Sequence, residues 1–139
     1  MTKKPVTEVT KMNQKASAII KVKSKPIQKE LEHMILTDGR FQIGDDKEGA
    51  DLLIFELSEN FEAELSNLEH LLNSNTVGEI FITSEKQTTE MLRHAMRIGA
   101  KEFLALPIDQ NEIENALEGF AKRRQQAAAN EPARKGKII

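Results

Sequence analysis

The sequence predicts an α/β domain on one five-stranded parallel sheet, with helices on both faces. Three observations carry this reading. Short apolar runs alternate with segments whose apolar residues recur at helical spacing, the signature of strand–crossover–strand units. The run Asp51–Leu57, DLLIFEL, is almost continuously apolar, as a strand covered on both faces must be. A chain of 139 residues with 39% hydrophobic and 30% charged residues suits a single ordinary core.

Each element has its own signal. Residues 1–16 are polar, lysine-rich and aperiodic, and read as a flexible basic arm. SAIIKV (17–22) is a β-branched run suited to the first strand. Lys25-Pro26 opens a helix, with proline allowed in the first turn. Ile27, Leu31, Met34 and Ile35 line one face of it, and Asp38-Gly39 ends it. RFQIG (40–44) reads as a short second strand. The turn-rich stretch 45–49, DDKEG, is too short for a helix, so the crossover between the second and third strands is reduced or missing.

After DLLIFEL, a helix carries Phe61, Leu65, Leu68, Leu71 and Leu72 on one face, with Glu62 and Glu64 near its positive end. EIFIT (79–83) is the fourth strand. Thr88 or Thr89 caps a helix whose inward face is read as Leu92, Ala95, Met96 and Gly99. EFLAL (102–106) is the fifth strand. Asp109 and Glu112 have capping-box spacing for a last helix with core residues Ile113, Ala116, Leu117 and Phe120. From Lys122 the pattern dissolves. Residues 125–139 read as a linker running into the start of another strand, Lys135 to Ile139, hence into a following domain.

Charge is segregated. Residues 1–25 hold seven lysines against Glu8, a net +6. Residues 122–139 hold six Lys/Arg against Glu131, a net +5. The body between them has seven basic and twenty acidic side chains, a net −13. An acidic body repels phosphates, so the folded part is not expected to bind nucleic acid, although the basic arms could meet an acidic or anionic surface. No apolar run is long enough for a membrane span, the N-terminus lacks the apolar segment of a secretory signal, and there is no cysteine. These fit a cytoplasmic protein. His33, His70 and His94 sit on separate predicted helices without ligand spacing, so no metal site is expected from them.

Taken in order, DLLIFE (51–56), IFITSE (80–85) and RIGAKEFLALPI (97–108) resemble the third strand, fourth strand and fifth-strand region of response-regulator receiver domains. The resemblance spans roughly residues 17–124. It implies the flavodoxin/CheY-like strand order 2-1-3-4-5. Receivers accept a phosphoryl group with an aspartate, an acidic pair that holds a divalent cation, a hydroxyl and a lysine. At the matching positions stand Glu56 for the aspartate, Lys23 and Ser24 for the acidic pair, and Leu106 for the lysine; only Thr83, or Ser84 beside it, keeps the family's chemistry. The Asp45-Asp46 pair follows the wrong strand to replace the acidic pair and reads as loop.

The resemblance therefore implies a receiver without its chemistry: no enzyme, no cofactor, and a docking or dimerisation role. Glu56 is either a built-in mimic of a phosphorylated aspartate or an ordinary polar strand end. Receivers commonly pair through their fourth helix, fifth strand and fifth helix. The corresponding residues here are Lys86, Arg93 and Arg97 on the basic side, and Glu102, Asp109, Glu112, Glu114 and Glu118 on the acidic side, complementary across a two-fold axis.

An atypical receiver, a short charged linker and a further strand resemble TadZ/CpaE-type Flp pilus-assembly proteins. In those proteins the next domain is a ParA/MinD-like ATPase. That resemblance implies a homodimer, partners in the pilus machine and recruitment to a cell pole. The alternatives are a phosphorylation-dependent response-regulator receiver, and a module whose basic arms bind nucleic acid or anionic membrane.

Overall fold

The computed structural model describes residues 15–138, with only the backbone of Asp46 and of residues 128–138. The basic arm up to residue 14 and Ile139 lie outside the described residues. The strands are β1 (Ala16–Lys21), β2 (Phe41–Ile43), β3 (Ala50–Glu56), β4 (Val77–Ser84) and β5 (Glu102–Ala105); the helices are α1 (Lys25–Asp38), α2 (Phe61–Asn73), α3 (Thr89–Ile98) and α4 (Gln110–Ile138). All strand pairings are parallel and the sheet order is β2-β1-β3-β4-β5, as the sequence predicts. The chain divides into two compact units, Met1–Pro107 and Ile108–Ile139. The first holds the whole sheet with α1, α2 and α3; the second is α4.

In the first unit the alternation of the strands assigns the two faces. Ile19, Leu53, Leu57, Ile80 and Ile82 form one buried cluster with Leu65 and Leu68 of α2 and with Met91 and Ala95 of α3. Their neighbours Ala18, Ile20, Leu52, Ile54 and Phe81 are buried on the opposite face, the side of α1, where Leu31 and Ile35 are also buried. Local signals fix the helix ends. Ser24 caps α1 by accepting from Ile27 N–H at 3.4 Å, and Gly39 ends it at φ 86°. Thr88 caps α3 by accepting from Met91 N–H at 3.0 Å, and Gly99 ends it at φ 105°.

The absent helix between β2 and β3 has a register explanation. Ile43, the last residue of β2, and Leu52, near the start of β3, both pair with Ala18 of β1. The chain leaves β2 at the level where β3 begins, so there is no strand length to climb back along. A short 3₁₀ turn (Asp46–Glu48), capped by Asp45 through Lys47 N–H at 3.0 Å, makes the connection. Gly49 is needed at its end: φ is 80°, and a Cβ would lie 2.3 Å from the Thr76 carbonyl oxygen, which accepts from Ala50 N–H. Where a crossover helix would cover the sheet, Ser17 and Asp51 satisfy one another. The carboxyl accepts from Ser17 N–H at 2.9 Å, and Asp51 N–H donates to the Ser17 hydroxyl at 3.1 Å.

Three sequence expectations need correction. Strand ends shift by one or two residues: β1 begins at Ala16, β3 at Ala50 and β4 at Val77, and β5 ends at Ala105. The inward face of α3 is Met91 and Ala95, while Leu92 and Met96 are 44% and 46% exposed. Two apolar arcs one residue apart compete on this helix, and the one starting at Met91 matches the sheet. Third, α4 continues to Ile138 through the stretch read as a linker and strand start. Residues 122–131, KRRQQAAANE, are rich in strong helix formers, which offsets the loss of an apolar face there, while nothing in the sequence explains the continuation past Pro132 and Gly136. The four core residues predicted for α4, Ile113, Ala116, Leu117 and Phe120, are buried.

Candidate functional site: a degenerate receiver pocket

β3 ends at Glu56, at the C-terminal edge of the sheet where open α/β folds bind their ligands. Its side chain is buried, at 7% exposure, and Oε1 accepts a hydrogen bond from Lys23 N–H at 2.8 Å. The carboxyl thus reaches across to the β1–α1 connection. Glutamate is one methylene longer than aspartate, and that length closes the gap to the neighbouring backbone. Lys23 itself is exposed, and Ser24 is committed to capping α1.

The β4 side is equally occupied. Thr83 is the register partner of Glu56 and is fully buried. Its hydroxyl donates to the Leu104 carbonyl of β5 at 2.7 Å. Ser84, also buried, donates to the Lys86 carbonyl at 2.7 Å. A hydroxyl has one proton, so neither has a donor left for a ligand in this arrangement. Leu106, at the position of the receiver lysine, is half-buried; its N–H donates to the Ser84 carbonyl at 3.2 Å, and it precedes Pro107 through a cis peptide.

The structure therefore gathers Lys23, Ser24, Glu56, Thr83, Ser84 and Leu106 around one strand edge. A divalent cation needs several oxygen ligands. Glu56 is the lone carboxyl among these residues, and among the described residues no group of three or more His, Asp or Glu side chains is placed to hold a metal. The receiver's cation does not fit these residues.

Gln28 is a site residue that the sequence reading missed. Its Oε1 accepts from Val22 N–H at 3.1 Å, while its Nε2 donates to the Ile20 carbonyl at 2.6 Å and to Glu32 Oε2 at 2.9 Å. Nothing in its spacing marks it, because it works through local backbone.

The expected pairing residues fall on several elements. Lys86 is exposed between β4 and α3, and Arg93 and Arg97 are exposed on α3 beside Leu92 and Met96. Glu102 is half-buried at the start of β5. Asp109 is occupied as a cap, accepting from Asn111 N–H at 3.0 Å and Glu112 N–H at 3.2 Å. Glu112, Glu114 and Glu118 lie on exposed positions of α4. Of the histidines, His33 and His70 are exposed, and His94 meets Phe61 edge-on with ring centroids 5.8 Å apart.

No family model and no curated protein matches the sequence. Solved structures match the fold. The chain is similar to a CheY-like receiver domain protein of Methanospirillum hungatei (TM-score 0.67, 13% identity, 81% of this chain and 99% of that one). It is similar to a CpaE pilus assembly protein of Burkholderia thailandensis (TM-score 0.64, 19% identity, 76% and 98%) and to the CheY-like TadZ of Pseudomonas aeruginosa (TM-score 0.62, 13% identity, 75% and 98%). Fold and strand-edge layout define a CheY-like receiver fold. Its solved neighbours include both ordinary receivers and pilus assembly proteins.

Proposed function

We propose that this chain is a receiver-like protein-interaction domain that takes no phosphoryl group and positions a TadZ/CpaE-like pilus-assembly protein. The observation that supports it best is the bond between the Glu56 carboxyl and Lys23 N–H. The side chain in the phosphoacceptor position is already engaged, by backbone that in a working receiver would carry cation ligands. A pocket satisfied from within holds one conformation, and a domain with one conformation can act as a constitutive docking surface. The similarity in fold to CpaE and TadZ proteins supports the pilus-assembly setting.

The docking surface in this reading is the outer side of α3. Leu92 and Met96 are exposed one turn apart, with Arg93 and Arg97 beside them. A second copy would meet it with the acidic positions of α4, Glu112 and Glu118, so a homodimer is the simplest assembly. The test is phosphoryl uptake. After incubation with magnesium and a small phosphodonor the intact mass should not change; stoichiometric gain at Glu56 or elsewhere in the pocket would refute the reading and return the chain to the phosphorylation-dependent receivers.

A further inference from the structure

The connection between β1 and α1 is held from two directions. From β3, Glu56 accepts the Lys23 N–H at 2.8 Å. From α1, Gln28 accepts the Val22 N–H at 3.1 Å and donates to the Ile20 carbonyl at 2.6 Å. The Gln28 amide has one usable orientation. Turning it over would set its NH₂ against the Val22 N–H and its oxygen against the Ile20 carbonyl. Its second N–H is held by Glu32 at 2.9 Å. The next residue, Ser24, bonds Ile27 N–H through its hydroxyl and Gln28 N–H through its carbonyl, so Gln28 is itself fixed by the segment it grips.

We infer that Gln28 and Glu56 form a two-point latch that locks the β1–α1 connection as one unit, with Gln28 as a positioning residue for the pocket. Two adjacent backbone N–H groups, Val22 and Lys23, are taken by two side chains from different elements. The peptide groups they hold are consecutive and meet at Val22, so releasing one loosens the neighbour that the other holds, and the latch opens cooperatively. The consequence is a pocket loop that does not respond to ligands, and this rests on the reading of the pocket as non-accepting.

Amide hydrogen exchange resolved by residue tests it in the intact chain. In the native protein the Val22 and Lys23 amides should both be protected. Glu56→Ala should speed exchange about tenfold or more at both, the loss of one hydrogen bond being worth about that factor. Gln28→Ala should do the same from the other side, while Leu65 and Leu68 in α2 keep their protection. Glu56→Gln, whose amide oxygen still accepts, should restore the protection at Lys23. Exchange at Val22 unchanged in Glu56→Ala would overturn the latch, as would equal acceleration across the sheet. If Glu56→Ala does not fold, Gln28→Ala decides, judged at Lys23. Failure here is distinguishable from failure of the proposed function: phosphoryl uptake by the native chain overturns the function, whereas fast native exchange without uptake overturns only the latch.

Discussion

The Glu56 carboxyl accepts the backbone N–H of Lys23 at 2.8 Å, joining the end of β3 to the connection after β1. The receiver resemblance implies a cation held by an acidic pair near this edge. Here one longer side chain and one peptide group meet.

Removing that side chain should be costly. Glu56→Ala leaves the Lys23 N–H and a buried space without a partner, and should lower stability by about 1–3 kcal/mol. Glu56→Gln keeps an acceptor and should cost less than about 1 kcal/mol. Urea denaturation of both variants measures the difference.

Thr83 should behave as a structural residue. Thr83→Val keeps the shape but strands the Leu104 carbonyl, so stability should fall by about 1–2 kcal/mol. If the native fold survives, nothing else should change, and treatment with phosphodonor should have no more effect on the variant than on the parent.

Only part of this was legible in sequence. The alternation of strands with four helices follows from periodicity, with Thr88, Asp109 and Gly39 announcing helix ends in local chemistry, while the strand order follows from the receiver resemblance. The departures from the receiver pattern were legible at Glu56, Lys23 and Leu106, since residue types at matched positions show what differs. The bond between Glu56 and Lys23 was not, because it needs a three-dimensional distance to a backbone group. Gln28 left no signal for the same reason. On α3 two apolar arcs, Met91-Ala95 and Leu92-Met96, are equally periodic, and only the packing decides which faces inward. The helical continuation of α4 was hidden by reading charge and proline as a linker.

Acid should reveal one surface pair. Arg40 bonds Asp38 through Nε at 2.7 Å and NH2 at 2.9 Å, and this hydrogen bonding holds the Asp38 carboxyl below its usual range. A carboxyl with a depressed folded pKa contributes stability above its unfolded pKa of about 3.9 and loses it as pH falls through the folded value. Asp38→Asn should therefore be less stable than the parent at pH 7. Arg40 is exposed and Asp38 half-buried, so solvent screening should hold the gap to about 1 kcal/mol, and it should vanish at pH below the ordinary carboxylate range. Thermal unfolding at the two pH values checks it.

The outer side of α3 should matter for association and not for folding. Leu92→Ser with Met96→Ser removes two exposed apolar side chains, so stability should stay within about 0.5 kcal/mol of the parent. Self-association should weaken about tenfold or more, and Arg97→Glu should weaken it further at low salt. Sedimentation equilibrium reads both effects.

The central claim, a docking domain that works without phosphorylation, is tested most directly by molar mass against concentration, from light scattering, before and after incubation with magnesium and a small phosphodonor. The account predicts a dimer that forms without the phosphodonor and is unchanged by it. A monomer that gains mass only after the treatment would contradict the account and show that the pocket still switches.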